Sequence, residues 1–273
     1  MTDSLMPEGV SVRRDVVHTR VAGYRPLSLD LYLPAAGARA LCVYAHGGGW
    51  RMGSRREGPG PLSPTSRRAF GRMAAAGLAV AAVDYRLSGE ARFPAQADDV
   101  RAACRWLLES DESPVRSMPL GLFGVSAGGQ LAALCGLDPD LPVAAVACWY
   151  PVTDLLAMPD DLDEVAPPAD RGPGSREALM LGAPAAEIPR IARAASPVTH
   201  VRADAPPFLL LHGDADTAVP VRQSQRLHEA LLAAGARSTF EPVAGYDHMF
   251  RGMPDADVDA LVGRTTDFLL SHA

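Results

Sequence analysis

The stretch 122–129, Leu-Phe-Gly-Val-Ser-Ala-Gly-Gly, places one serine, Ser126, between glycines where an apolar run gives way to a helix-forming one. A sharp turn from a strand into a helix pushes this serine into an unfavourable backbone region, and Gly124 and Gly128 remove the side chains that would clash there. The pattern is typical of a nucleophile elbow. An ordinary turn between a strand and a helix explains a single Gly-x-Ser-x-Gly equally well. The rest of the chain has to decide between the two interpretations.

Composition limits the class of protein. The chain has 273 residues, of which 48% are hydrophobic and 21% charged, and its formal net charge is -6. These values are ordinary for a globular protein and indicate neither a nucleic-acid surface nor a membrane protein. Residues 1–8 lack a basic stretch followed by a long apolar one, so we expect no secretory signal and a cytoplasmic protein. The longest apolar stretch, 141–152, is too short to span a bilayer.

Short apolar runs recur between helix-like stretches from residue 40 onward. Such alternation is typical of buried strands in a mostly parallel sheet. The predicted buried strands lie at 41–45, 78–83, 120–123, 143–149 and 208–211, and the predicted helices at 94–109, 221–234 and 255–270. Before them, 10–19 and 27–33 predict an antiparallel hairpin. We therefore predict an α/β fold over 1–273, a single domain whose mostly parallel central sheet has about eight strands and flanking helices.

One region interrupts this alternation. Residues 154–205 are rich in proline, alanine and acidic residues. The segment is too long for a simple connection and too poor in large apolar residues for a domain. We predict a small cap insertion at about 155–205, with helices near 175–181 and 187–194. A wandering surface loop is the alternative, although long ordered loops are uncommon in compact domains.

A serine nucleophile needs a base to accept its proton and an acidic group to orient that base. Both follow Ser126 in the order expected of a nucleophile elbow, Asp216 after a buried strand and His248 before the last helix. Asp216 is favoured over Asp214 because it lies deeper in its loop, whereas Asp214 is expected to bond the backbone of its own turn. Asp247 is disfavoured because adjacent residues seldom direct their side chains at each other.

A glycine-rich stretch, 45–50, reads Ala-His-Gly-Gly-Gly-Trp and directly follows a predicted strand. Acyl transfer builds negative charge on the former carbonyl oxygen, and a glycine-rich loop lets backbone N–H groups approach that oxygen closely. We assign the N–H groups of Gly48, Gly49 and Ala127 to an oxyanion hole. Phosphate binding is disfavoured, because no P-loop Lys-Ser/Thr pair and no Gly-x-Gly-x-x-Gly follows.

Four large side chains flank these motifs and are candidates for a substrate pocket, although a place in the core is common for such residues. They are Trp50, Tyr150, Met249 and Phe250. We expect no metal and no cofactor, since the sequence has neither a His-x-x-x-His spacing nor clustered cysteines. The four cysteines are scattered singly among apolar residues and are predicted to be buried free thiols.

Five motifs in order carry a family resemblance. They are 46–50 (His-Gly-Gly-Gly-Trp), 84–87 (Asp-Tyr-Arg-Leu), 124–129, 213–220 (Gly-x-x-Asp-x-x-Val-Pro) and His248. With them the chain resembles the α/β-hydrolase fold over roughly residues 25–270, and looks most like carboxylesterases of the hormone-sensitive-lipase and BD-FAE-like group. It departs from typical hormone-sensitive-lipase relatives at Val125, where they have an acidic residue, and in its short N-terminal segment. Trp50 and the short N-terminal segment are instead similar to small acetyl or feruloyl esterase-like enzymes and to kynurenine formamidases.

The resemblance implies a serine carboxylesterase that hydrolyses small or medium acyl esters through Ser126, His248 and Asp216, with a small-molecule ester as its partner. Amide or formamide hydrolysis, and acyl transfer to an acceptor other than water, are alternatives for the same three residues. A non-catalytic binding protein on the same scaffold is the alternative from another class. The oligomeric state stays open, with a homodimer among the options.

Overall fold

The apolar runs of the sequence form the strands of one mostly parallel sheet in a computed structural model, which describes residues 6–61 and 64–273. Residues 1–5, which carry part of the expectation of a cytoplasmic protein, lie outside the described residues. The strands are β1 (Val10–Thr19), β2 (Leu27–Pro34), β3 (Ala40–Ala45), β4 (Leu78–Val83), β5 (Leu120–Val125), β6 (Val143–Trp149), β7 (Phe208–Gly213) and β8 (Ser238–Val243). Their spatial order is β1-β2-β4-β3-β5-β6-β7-β8.

Pairing divides the sheet into two parts. The predicted hairpin of β1 and β2 is antiparallel, and β2 joins β4 in the antiparallel sense. From β4 to β8 all neighbouring strands are parallel. Because parallel strands share a direction, the loops that follow β3, β5, β6, β7 and β8 leave the sheet at the same edge. The predicted site residues follow β3, β5, β7 and β8 in the sequence, so they lie at this edge of the sheet.

The helices are α1 (Pro64–Ala75), α2 (Ala95–Glu109), α3 (Ala127–Gly136), α4 (Met158–Val165), α5 (Arg176–Leu181), α6 (Pro189–Ala194), α7 (Arg222–Ala233) and α8 (Asp255–Ser271). They cover both faces of the sheet. In β3, Leu41 and Val43 belong to the core layer under α2, α3 and α7, whereas Cys42 and Tyr44 belong to the layer under α1 and α8. Burial on both faces explains why these strands are continuously apolar rather than alternating.

The fold prediction is confirmed in its class and strand number. The three predicted helices correspond to α2, α7 and α8. The strand β8 and the helices α1 and α4 have no counterpart among the predicted elements. The four cysteines are buried and free, as predicted. Burial raises the pKa of the Cys135 thiol to about 12, and it also raises the pKa values of the other three thiols.

The segment between β6 and β7 carries three helices, α4, α5 and α6, and is therefore not a wandering loop. Both helices predicted here are present. Met158, Met180 and Ala192, one from each helix, are buried in the core layer that also contains α2, α3 and α7. The segment is thus packed onto the sheet's helical layer beside the site. In the part of the chain that the structure describes, no helix combines the length and apolar character needed to cross a bilayer.

Candidate active site

The turn at Ser126 has the geometry of a nucleophile elbow. Ser126 joins β5 to α3 with φ 54° and ψ -122°, a backbone conformation that residues other than glycine rarely adopt. A Cβ atom at Gly124 would collide with the carbonyl oxygen of Gly128, and one at Gly128 would collide with the carbonyl oxygen of Ala45. The two glycines are therefore required by space, and the strained serine between them distinguishes this turn from an ordinary one.

The hydroxyl of Ser126 meets an imidazole. Its Oγ atom lies 3.0 Å from Nε2 of His248, which begins a short 3-10 helix after β8. Both side chains are buried. The ring of Tyr150 packs edge-on against the His248 ring with 4.9 Å between centroids. The imidazole is thus held in one orientation by an aromatic wall on one side and the serine hydroxyl at its end.

The other nitrogen of this imidazole meets the predicted acid. Nδ1 of His248 lies 2.7 Å from Oδ2 of Asp216, while Oδ1 of Asp216 accepts hydrogen bonds from the backbone N–H groups of Ala218 and Val219 at 2.9 and 2.8 Å. Burial opposes ionisation of Asp216, but the neighbouring imidazoles of His212 and His248 outweigh it and hold the pKa of this carboxyl well below its usual range. The carboxylate therefore fixes the proton on Nδ1 and leaves Nε2 free to accept one from Ser126.

The two competing aspartates bond elsewhere. Oδ1 of Asp214 accepts from the backbone N–H of Gly245 at 2.6 Å, and Oδ1 of Asp247 accepts from the backbone N–H of Thr217 at 2.9 Å. Asp214 was expected to bond its own turn, and this expectation is wrong because the neighbouring loop after β8 lies closer. Both residues hold the two loops that carry Asp216 and His248 against each other.

A second histidine touches the acid, a contact that sequence reasoning missed. Nε2 of His212 lies 2.7 Å from the carbonyl oxygen of Val219 and 3.3 Å from Oδ2 of Asp216. Its Nδ1 atom lies 2.7 Å from Oγ of Ser224. The four-residue spacing between His212, near the end of β7, and Asp216, in the loop that follows, is the signal that could have found this contact. His212 holds the loop after β7 through Val219 and in addition gives the carboxylate a second imidazole neighbour.

The glycine-rich loop after β3 leaves backbone donors free beside Ser126. Gly48 and Gly49 have φ values of 109° and 59°, a region that favours glycine. The N–H groups of Gly48, Gly49 and Ala127 donate to no protein acceptor within residues 6–61 and 64–273. Ala127 is the first residue of α3, where the helix has no internal acceptor for its N–H groups. The three donors assigned from the sequence are therefore available to an incoming oxygen atom.

The loop is held from behind by His46. Its Nδ1 atom donates to the carbonyl oxygen of Gly47 at 2.7 Å, and its ring stacks on Tyr85 with 4.3 Å between centroids. The hydroxyl of Tyr85 donates to the carbonyl oxygen of His46 at 2.9 Å. Burial lowers the pKa of His46 to about 4, so the imidazole is neutral at neutral pH and supports the loop structurally.

A cavity of about 320 Å³ opens above Ser126. Tyr150 and Met249, two of the four predicted pocket residues, line it. Trp50 and Phe250 do not belong to its described lining, and this part of the prediction is corrected. The indole Nε1 of Trp50 donates to the Gln130 side chain at 3.0 Å in the interior, and Phe250 packs between the rings of Trp149 and Tyr150. Both side chains support the site from the core.

Several lining residues were not predicted. Arg51, Met52 and Glu57 come from the segment after the glycine-rich loop, and Arg176 comes from α5. No motif marks them, and the approach of Arg176 depends on how α5 packs over Gly49. Across the residues that the structure describes, no group of three or more His, Cys, Asp or Glu side chains is arranged to hold a metal ion.

Known proteins resemble this chain over most of its length. The BD-FAE family model matches residues 29–231. Esterase LipC of Mycobacterium tuberculosis is 32% identical over 202 residues, which are 71% of this chain and 48% of that protein. The chain spans about half the length of the curated relatives it matches.

Two solved structures match over nearly the whole chain. A truncated form of a carbohydrate esterase from gut microbiota superposes with a TM-score of 0.74 and 26% identity, covering 94% of this chain and 96% of that one. The thermophilic esterase Est2 of Thermogutta terrifontis, in its propionate-bound form, superposes with a TM-score of 0.72 and 26% identity, covering 97% of this chain and 96% of that one.

Proposed function

Since the chain belongs to the BD-FAE family and has the α/β-hydrolase fold, we propose that it is a serine carboxylesterase with Ser126 as nucleophile, His248 as general base and Asp216 as the orienting acid. One observation carries the proposal. Ser126 Oγ bonds His248 Nε2, and His248 Nδ1 bonds Asp216 Oδ2. At the serine end of this series lie three backbone N–H groups that donate to no acceptor among the described residues. A nucleophile, its base and an oxyanion site are what acyl transfer requires together.

Acylation uses each of these groups once. His248 Nε2 takes the hydroxyl proton while Ser126 Oγ attacks the ester carbonyl carbon, and Asp216 stabilises the imidazolium that forms. The carbonyl oxygen becomes negative and accepts hydrogen bonds from the N–H groups of Gly48, Gly49 and Ala127. When the tetrahedral intermediate collapses, the bond to the alcohol oxygen breaks and His248 gives that oxygen its proton. The product of this half-reaction is an acyl group esterified to Ser126.

Deacylation repeats the sequence with water. His248 removes a proton from a water molecule, the hydroxide attacks the acyl carbon, and the same N–H groups stabilise the second oxyanion. Collapse returns the proton to Ser126 and releases a carboxylic acid. The cavity volume of about 320 Å³ lies near the lower end of ligand pockets, which supports substrates with small or medium acyl groups.

The test compares the wild type with Ser126→Ala on 4-nitrophenyl acetate, 4-nitrophenyl butyrate and the corresponding 4-nitroanilides. We expect the wild type to hydrolyse the esters faster than the anilides, and Ser126→Ala to lose at least about 10³-fold in kcat/KM. Ser11→Ala, at an exposed serine of β1, is the matched control and should retain full activity. Turnover by Ser126→Ala at the wild-type rate would remove the nucleophile assignment, and faster cleavage of the anilides would replace the esterase by an amidase.

A further inference from the structure

The cavity above Ser126 is lined by an arginine, Arg51, that directly follows the glycine-rich loop. The backbone N–H of Arg51 donates to the carbonyl oxygen of Gly48 at 3.1 Å, which ties Arg51 to the proposed oxyanion site. Its side chain is exposed and lines the cavity. In the described ranges 6–61 and 64–273, its guanidinium makes no hydrogen bond or ion pair with the protein. A positive charge therefore lines the cavity, and within the described ranges it has no ion-pair partner.

A second arginine reaches the same place from α5. The stem of Arg176 covers Gly49, where its Cδ atom would lie 2.9 Å from a Cβ atom added to that glycine. Its Nη2 atom donates to the carbonyl oxygen of Ala218 at 3.3 Å, and its Nε atom lies 3.9 Å from a carboxylate oxygen of Glu177. These two long contacts leave most of its five N–H donors available, and the side chain is 40% exposed.

Charges in the cavity lining are unequal. Among the lining residues that the structure describes, Arg51 and Arg176 carry two positive charges and Glu57 carries one negative charge. The rest of the wall near Ser126 is glycine together with apolar side chains such as Met52, Val125 and Met249. Guanidinium groups beside an apolar wall attract an anion more strongly than they do in open water, and a carboxylate matches their fork of donors.

We propose that the preferred substrate is an ester that carries a carboxylate close to its scissile carbonyl, bound by Arg51 and Arg176. This inference rests on the esterase proposed above and narrows its substrate class. The carbonyl oxygen lies on the N–H groups of Gly48 and Gly49, Arg51 follows in the same loop, and Arg176 covers Gly49, so the anion has to lie near the reacting carbon. The carboxylate belongs either to the acid part, as in half-esters of dicarboxylic acids, or to the alcohol part, as in acylated hydroxy acids.

The test uses pairs of esters that differ only in replacing a carboxylate by a methyl group. Monoethyl succinate against ethyl butyrate places the charge in the acid part, and O-acetyl-lactate against isopropyl acetate places it in the alcohol part. Acid release is followed in a pH-stat at low salt. We expect the wild type to favour the charged member of at least one pair by about tenfold to a hundredfold in kcat/KM, mainly through KM, and added salt to reduce this ratio.

Variants of Arg51 and Arg176 test whether these two side chains cause the preference for the charged ester. Arg176→Met and Arg51→Met should each bring the ratio of charged to neutral ester close to one, and Arg176→Lys should keep part of it. Arg105→Met, at an exposed position of α2, is the matched control and should leave the ratio unchanged. If Arg176→Met does not fold, Arg51→Met decides, since its side chain has no protein partner within the described ranges.

Three outcomes would overturn the inference while the esterase proposal stands. They are a wild type that favours the neutral member of both pairs, a ratio unchanged in Arg176→Met and Arg51→Met, and an equal loss on charged and neutral esters, which would make the arginines supports of the oxyanion loop. If the wild type hydrolyses no ester faster than Ser126→Ala does, the proposed function itself fails and this inference fails with it.

Discussion

Two regions of the site are held in opposite ways: the floor, which is Ser126 and His248 with Asp216 beneath them, and the rim, which is Arg51, Met52 and Arg176. On the floor, Asp216 is buried and accepts hydrogen bonds from two backbone N–H groups and one imidazole, with a second imidazole in contact. At the rim, Met52 is 63% exposed and the Arg176 side chain is 40% exposed, with two long polar contacts. Buried polar groups are costly unless they are bonded, whereas exposed ones are not. The floor is therefore fixed by the fold, and the rim is free to vary with the substrate.

The difference explains why motifs mark one region and leave the other unmarked. Loops whose backbone must approach a reacting oxygen need glycine, and a buried carboxylate needs a loop that supplies N–H groups to it. Both requirements leave fixed residue types at fixed spacings. A rim side chain needs only to reach the cavity, so its residue type follows the ligand and not the scaffold.

The largest effect expected from breaking the floor is at its acid. Asp216→Asn should lower kcat by about 10⁴-fold, because an amide in place of the carboxylate no longer holds the proton on Nδ1 of His248. Asp214→Asn and Asp247→Asn, which bond neighbouring backbone, should each change kcat by less than about tenfold. Steady-state kinetics on 4-nitrophenyl butyrate measures all three. Comparable losses in the three variants would remove Asp216 from its role.

Arg55 and Arg51, four residues apart after β3, should differ in their contribution to the free energy of unfolding. The Arg55 side chain is 11% exposed and bonds Asp15, Asp30 and Asp84, of which Asp30 is fully buried. Arg55→Met should reduce the free energy of unfolding by about 3 kcal/mol, since it removes the nearer of the two arginines beside Asp84 and one of the two that bond the buried Asp30. The matched Arg51→Met should change it by less than about 0.5 kcal/mol. Urea denaturation of both variants measures the difference, and equal effects would contradict the distinction between anchored and free side chains.

His46, which bonds the oxyanion loop, should make the free energy of unfolding depend on pH. Because burial lowers the pKa of His46 from 6.5 to about 4, the unfolded chain binds a proton in this interval that the native chain does not. The free energy of unfolding should therefore fall as the pH drops from about 6.5 to about 4, with roughly 3 kcal/mol due to His46. His18 has a pKa lowered to about 4 by burial and adds to the same trend.

The measurement is urea denaturation at pH 7 and pH 4.5. His46→Gln should show a smaller loss of stability between the two pH values than the wild type, while His200→Gln, at an exposed position, should show the wild-type loss. An unchanged pH dependence in His46→Gln would mean that this imidazole is accessible to protons in the native protein.

Much of the fold could be predicted because burial on both faces makes the central strands continuously apolar. The exceptions have physical reasons. The strand β8 lies at the sheet's edge and is half-buried, so Ser238–Val243 contains no apolar run. The helix α4 has acidic residues in its first turn and buries one of them, Asp161, against Arg226 of α7. Neither a polar edge strand nor a helix anchored by a buried ion pair produces the hydrophobic pattern used for prediction.

For the site, the sequence predicted that Ser126, His248 and Asp216 act together, and the structure places their side chains in hydrogen-bond contact because strand order and motif order agree. It did not separate pocket from core for Trp50 and Phe250. Both are large, both follow strands, and both have positive φ values, so their direction depends on the local turn. The approach of Arg176 to the cavity depends on the packing of α5 over Gly49, which no local pattern encodes.

The most direct test of the central claim is covalent labelling of the intact protein with a fluorophosphonate, followed by mass spectrometry of its peptides. A serine activated by His248 and Asp216 should react stoichiometrically, the adduct should lie on Ser126, and labelling and esterase activity should be lost together. Asp216→Asn should label far more slowly than the wild type. A protein that remains unlabelled, or an adduct on a serine other than Ser126, would contradict the account.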